Sequence, residues 1–432
     1  MIFMDYDVII IGGGITGLAA AHECSKKGLK TAIIERGSSL GGLLYSVKSG
    51  KSFIEAFYHH FFTIDSYLME KMEELGLKEK IVWQYTKTAF LFDDGIYELS
   101  APQHILFFKP LNMIEKMQFV KLMIIVKLSK DYEKLDNISA KEWIIKNSSK
   151  SLYKKMFEPL LKSKFGDKAE QASAAWFVER INMRGERSIK GEKLGYIKGG
   201  FKVLVDELEK RVIKNKVDVF LNSSVDAITL SKNFYFVKMG EKTIASKSII
   251  STIPPKLLVN YGLFDEKFSK SLEKIEYQGS LCILLSMKRK LTDYYWVNIV
   301  KESEIGALIE HTNFQPLKYY DGHLLYIARY PSNNSPIWQM SEDQIWEKYF
   351  SELQKLFPDI KQSDIKWYKV FKGFNAGVIY KKGFKKNFLS YETPLKGFFI
   401  GGLFNMYPER SVNLSIKIGT EMAELASKYV KS

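Results

Sequence analysis

The apolar positions of this chain follow two alternating rhythms. Tyr6-Asp7-Val8-Ile9-Ile10-Ile11 is a β-branched run of the kind a parallel strand needs when both its faces are covered. Gly12-Gly13-Gly14-Ile15-Thr16-Gly17 follows at once. An alanine-rich helix is predicted over 18–27, ending at Gly28, and a second apolar strand over 30–35. Apolar spacings near three and four predict helices over 113–132, 140–146, 151–164, 168–180 and 202–214. Strand patterns occupy 217–221, 248–253 (stopped by Pro254 and Pro255), 280–287, 294–300, 305–310 and 324–330. Phe398-Phe399-Ile400 before Gly401-Gly402 predicts a last strand, and 411–429 a closing helix.

The turn after the first strand contains G-x-G-x-x-G as Gly12, Gly14 and Gly17. Gly12 allows a tight turn, Gly14 lets backbone approach a pyrophosphate, and Gly17 lets helix and strand pack closely. The helix start at Ile15 and Thr16 offers N–H groups to phosphates. Glu35 ends the second strand, placed to accept hydrogen bonds from a ribose diol. A glycine turn in any α/β protein is the competing reading; strand, helix, strand and acid in register argue against it.

Glu35-Arg36 followed by Gly41-Gly42 resembles the flavoprotein superfamily of flavin amine oxidases, protoporphyrinogen oxidases, phytoene desaturases and UDP-galactopyranose mutases. Leu43 departs from the pattern, since many members carry arginine there. The resemblance implies an α/β fold in which a Rossmann-like (GR2-type) FAD-binding domain is interleaved with an α+β substrate domain carrying a helical insertion and an antiparallel sheet. The expected boundaries are 1–95, 190–265 and 385–432 for the FAD domain, and 96–189 and 266–384 for the substrate domain. It further implies FAD contacts at Ile15, Thr16, Arg36, Gly41, Gly42, Leu43 and Val225, and at Gly402, Arg410, Ser411, Val412 and Asn413 near the C-terminus. Ser411 as a plain helix cap is the alternative there.

Composition narrows the partners. The 432 residues carry 64 Lys+Arg against 49 Asp+Glu, a net charge of +15, but only eight are arginine. Scattered lysine beside glutamate reads as solvated surface, then as attraction to an anionic membrane, and not as a nucleic-acid interface. Lysines break the apolar stretches at 105–108 and 119–126 well short of the roughly 20 residues a membrane span needs. The first apolar run holds Asp7 and the glycine turn, so it reads as a strand rather than a secretory signal. Two cysteines, Cys24 and Cys282, make no disulfide framework. These features predict a cytoplasmic monomer or homodimer, with contact at the inner membrane face left open through the stretch 116–127.

Candidate chemistry lies in three places. Phe57-Tyr58-His59-His60-Phe61-Phe62-Thr63 resembles the flavin-facing histidine loop of the mutases, so His59 and His60 are candidates for proton movement. Satisfied core histidines explain the loop equally well. Glu310-His311-Thr312-Asn313, beside Arg329-Tyr330, would place His311 at the cavity, or simply form a strand-end turn. Arg180, Arg184 and Arg187 with Asn182 suggest an anion site or a solvated helix end. No Cys/His spacing suits a metal, and no lysine occurs between Gly279 and Leu284, where amine oxidases place the one that reaches the flavin.

Two enzymatic functions result, beside a third class, a membrane-surface or scaffold protein that merely retains FAD. The leading one is an FAD-dependent oxidoreductase of the protoporphyrinogen oxidase or desaturase kind, moving hydride from a C–C or C–N bond of a small or amphipathic substrate to flavin N5, with Tyr407 and the 57–62 aromatics orienting the substrate. The alternative is a non-oxidative nucleotide-sugar mutase, weakened by the shortage of arginines to hold a diphosphate.

Overall fold

The computed structural model describes residues 5–184, 187–408 and 410–432, with Arg187 described by its backbone alone. Strand β1 (Tyr6–Ile11), helix α1 (Ile15–Lys26) and strand β2 (Thr31–Ile34) form the predicted βαβ unit. β1 pairs in parallel with β2 and with Lys242–Ser251, register Val8↔Thr31 and Val8↔Ser248. The sheet has seven strands in the order Asp218–Phe220, β2, β1, Lys242–Ser251, Phe234–Met239 and Ala227–Ser231, with Phe398–Ile400 also on Lys242–Ser251.

Successive residues of β1 feed two different cores, which is why the run is unbroken. Val8 and Ile10 pack with α1 and the closing helix Val412–Lys431, whereas Ile9 and Ile11 face the core shared with the helical insertion. The closing helix crosses α1 so tightly that a Cβ on Gly419 would lie 2.4 Å from the Thr16 carbonyl oxygen. The two chain ends therefore share one layer.

A second seven-stranded sheet runs in the order Ile365–Val378, Tyr277–Met287, His323–Arg329, Ala307–Glu310, Trp296–Ile299, Thr88–Phe92 and Gly95–Glu98. Two of these strands precede residue 100, so the sheet crosses the boundary expected at 95. Helix Glu342–Leu356 covers its outer face, burying Ile345, Tyr349 and Leu353. Helices Met113–Leu128, Ala140–Asn147, Glu158–Phe165 and Ala174–Asn182 form the insertion. The first stops four residues earlier than its apolar spacing predicts, and the one predicted over 168–180 begins only at Ala174, after a short 3-10 stretch, Gly166–Gln171. No helix among the described residues is long and apolar enough to cross a membrane.

Candidate active site

A cavity of about 940 Å³ lies between the two sheets. On the first-sheet side its wall includes Gly12, Gly14, Ile15, Thr16, Glu35, Arg36, Gly41, Gly42, Leu43 and Val225. The chain's far end adds Gly402, Arg410, Ser411 and Val412. The loop after the strand Ser52–Glu55 contributes Phe57, Tyr58, His59 and His60, and the second sheet and the insertion contribute Lys164, Arg180, Tyr277, Tyr330 and Phe374.

The first-sheet wall fits a dinucleotide. Gly14 is the N-cap of α1 and makes no side-chain cap bond, so the helix start faces the cavity with no side chain closing it. A Cβ built on Gly14 would meet no atom within 4 Å: the space above it is open. Gly17 differs, because a Cβ there would sit 2.0 Å from the Gly12 carbonyl oxygen. Its smallness serves helix–strand packing and it does not line the cavity. The Glu35 carboxylate accepts the Gly13 N–H through Oε2 and the Gly37 N–H through Oε1, both at 2.7 Å. Each oxygen keeps a lone pair for a ribose hydroxyl. Gly41 donates to the Gly13 carbonyl at 2.9 Å, holding the second glycine pair against the first turn.

The C-terminal residues divide. Ser411 caps the closing helix, its Oγ accepting the Leu414 N–H at 3.1 Å, and also lines the cavity. Arg410 donates through Nη1 to the Ala376 carbonyl, clamping the C-terminal loop to the strand Ile365–Val378. Asn413 is turned away: its Oδ1 accepts the Leu68 N–H at 2.9 Å in a buried contact, and it is absent from the cavity wall. Its task is to join the closing helix to Ser66–Glu74.

The three histidines also divide. His59 and His60 line the cavity, while His311 does not. His311 is fully enclosed, with Nε2 2.8 Å from the Tyr320 hydroxyl, and burial pushes its pKa down to about 3. Its neighbours form the strand-end turn: Glu310 accepts the N–H groups of Leu291 and Thr292, and Asn313 donates to the Thr292 and Tyr294 carbonyls. That correction removes the 310–313 segment from the site.

Burial lowers the pKa of His59 to about 4, with the Arg410 charge adding to the effect. Burial likewise holds His60 well below its ordinary value, followed by the charges of Arg184 and Arg180. Both imidazoles are therefore neutral near pH 7, and a proton shuttle titrating there is not what the loop provides. His59 Nδ1 lies 2.6 Å from the Phe57 carbonyl, which can only accept, so the proton is on Nδ1 and Nε2 is an acceptor. His60 Nδ1 lies 3.0 Å from the Tyr295 hydroxyl.

Of the arginine cluster, Arg180 reaches the cavity wall, whereas Arg184 lies 3.7 Å from Glu192 Oε2. The Arg187 side chain lies outside the described residues. Tyr407 is not a wall residue; its hydroxyl donates to Asp136 and meets Ser173 Oγ in the insertion. Sequence reading missed Lys164, whose Nζ stands 3.7 Å from the Tyr330 ring centroid, and the Tyr58–Tyr330 hydroxyl contact beside it. It also missed the strand Ile365–Val378, which brings Phe374 and Ala376 to the wall. Only tertiary pairing brings these residues together, and no local motif marks them.

A glycine turn with an acid beside it on one wall, facing aromatic side chains of the second sheet and of the 57–60 loop, is an arrangement that suits a dinucleotide-dependent enzyme. The chain belongs to the family of flavin containing amine oxidoreductases, whose model matches residues 15–417. That membership gives it FAD as cofactor. Among curated proteins it is 26% identical over 301 residues to pseudooxynicotine dehydrogenase of a Pseudomonas species, covering 64% of this chain and 57% of that protein. It is 21% identical over 270 residues to amine oxidase [flavin-containing] B of Homo sapiens, covering 58% of this chain and 51% of the relative. The matches thus span little more than half of these relatives. The fold matches a candidate protoporphyrinogen oxidase from Exiguobacterium sp. with TM-score 0.80 and 18% identity, over 99% of this chain and 100% of that one. Cyclohexylamine oxidase from Brevibacterium oxydans gives TM-score 0.70 at 13% identity, over 99% and 100% of the chains. These relatives are oxidases and a dehydrogenase, and they lend the mutase alternative no support.

Proposed function

We propose that the protein oxidises a small or amphipathic molecule by removing hydride from a carbon in a C–N or C–C linkage. The observation that carries this reading is the single cavity shared by the glycine turn and the aromatic second-sheet wall. Gly12, Gly14, Glu35 and Arg36 would hold the dinucleotide, and Gly402, Arg410 and Val412 the part of it nearest the second sheet. When bound, FAD supplies a two-electron acceptor.

The chain's own groups position and shield the substrate. Phe57, Tyr58, Tyr330 and Phe374 offer apolar faces that exclude water. Lys164 across the Tyr330 ring supplies a fixed charge for orientation. His59, neutral with Nε2 as an acceptor, would receive a hydrogen bond from a substrate N–H or O–H without adding charge to the cavity.

The test is anaerobic mixing of the yellow, FAD-loaded protein with amines and with partly reduced conjugated ring compounds, following the flavin band near ~450 nm. Rapid bleaching by one class identifies the substrate bond. A protein that takes up no FAD, or whose flavin stays yellow with every compound of both classes, would sink the reading.

A further inference from the structure

Helix Met113–Leu128 is apolar on two opposite sides, and the fold covers only one of them. Leu122 and Val126 are fully buried, and Phe119 stacks on Phe157, its ring centroid 6.3 Å away. On the other side Met113, Met117, Val120, Ile124 and Leu128 recur at spacings of four and three, forming one continuous stripe. Met113 is 66% exposed and Leu128 75%. The short helix His104–Phe107 extends the patch with Leu106 at 64% and Phe107 at 80% exposure. Between the two helices runs a shallow groove of about 430 Å³, walled by aliphatic side chains, Lys116 and Lys121. A helix that is apolar all round belongs in a core or at a lipid boundary, and this one is half in a core.

The charges around the stripe identify what covers the other half. Residues 104–128 contain four lysines, Lys109, Lys116, Lys121 and Lys127, and one carboxylate, Glu115. Glu115 is buried, caps its own helix at Asn112 and binds Lys155, so it shows no negative charge to solvent. Lys109 and Lys121 are exposed. The Lys116 ammonium bonds the Leu106 carbonyl at 2.7 Å, tying the two helices into one face. A second copy docked here would set lysines against lysines. An anionic bilayer surface instead accepts the apolar side chains among its acyl chains and the ammonium groups among its headgroups.

We propose that the face formed by His104–Phe107 and Met113–Leu128 docks on an anionic membrane surface, lying in the interface without crossing it. The docked face connects to the cavity only through a neighbouring helix. Asn182 donates to the Val126 carbonyl at 3.3 Å, and its helix Ala174–Asn182 brings Arg180 to the cavity. Docking is independent of the reaction proposed above and needs no substrate to be tested.

The experiment is flotation of the FAD-loaded protein with phosphatidylcholine vesicles, with and without phosphatidylglycerol, at low and high salt. The expected result is binding to the anionic vesicles at low salt that falls about tenfold or more at high salt. Met117→Ser with Ile124→Ser and Leu128→Ser, and separately Lys109→Glu with Lys121→Glu, should each lower binding about tenfold or more while flavin absorbance stays unchanged. Should the serine variant misfold, the charge-reversal pair still decides the matter. Absence of wild-type binding to anionic vesicles at low salt would overturn the proposal. So would binding that the charge-reversal pair leaves intact, or a dimer in light scattering that the serine variant dissociates.

Discussion

The Glu35 carboxylate holds the backbone N–H of Gly13 at 2.7 Å, joining the acid at the end of β2 to the turn that follows β1. The acid is thus preorganised by the fingerprint it is expected to work with. Glu35→Gln keeps one acceptor and turns an NH₂ toward the other backbone N–H. FAD should bind about tenfold more weakly in a flavin-fluorescence titration, with the fold intact. An unchanged affinity would mean that Glu35 touches no part of the cofactor.

Two neighbouring glycines should fail in different ways. A methyl at Gly14 meets only cavity space, so Gly14→Ala should fold normally and lose FAD affinity by about tenfold or more. A methyl at Gly17 meets the Gly12 carbonyl, so Gly17→Ala should lose about 3 kcal/mol or more of stability in urea unfolding. Identical behaviour of the two variants would refute this division of labour.

Asn413→Ala removes the acceptor of the buried Leu68 N–H. The expected cost is about 1–3 kcal/mol of stability, with FAD affinity of the folded protein within twofold of wild type. A large change in affinity at unchanged stability would return Asn413 to the cofactor.

Glu55 is fully buried, with Oε1 accepting the Phe201 N–H at 2.6 Å and Oε2 the Tyr196 hydroxyl at 2.8 Å. Burial outweighs those bonds and raises its pKa from 4.5 to about 7. A raised carboxyl pKa means that the folded state keeps a proton the unfolded chain gives up. Its stabilisation is complete below pH 4.5 and is lost as pH rises through about 7. The depressed pKa values of His59 and His311 act the other way, costing stability as pH falls from 6.5 toward 4 and 3. Glu310, also raised to about 7 by burial, adds a slope of the same sign, so only the difference between Glu55→Gln and wild type isolates Glu55. Glu55→Gln should narrow its stability gap to wild type, or overtake it, by roughly 2–3 kcal/mol between pH 5 and pH 8.5. A gap that does not change with pH would count against the assignment.

How much of this was legible depended on the range of the physics involved. The β1–α1–β2 unit, the helix Lys202–Lys214 and the capped closing helix could be read directly, because each is set by neighbours within a few positions. The edge strand Ile365–Val378 could not, since its lysines at 366, 369 and 372 interrupt an apolar pattern needed on only one side. Helix Met113–Leu128 was legible as a helix, and its Phe119, Leu122, Met123 and Val126 pack inward as bundle core. Its second apolar side is visible only once the fold shows which side is covered.

The sequence alone determined that a glycine turn of the dinucleotide kind, with an acid ending the next strand, stands at the start of the chain; that the last strand and helix return to it was implied by the family resemblance. The first is a statement about local backbone geometry, where such a glycine pattern has few other uses. Tertiary structure decided which histidines reach the cavity, that both are held neutral there, that Asn413 serves a helix junction, and that Lys164 meets Tyr330. Burial and long-range pairing govern all four. Neither has a period or spacing that one stretch of chain can display, because each depends on what distant segments bring to the same place.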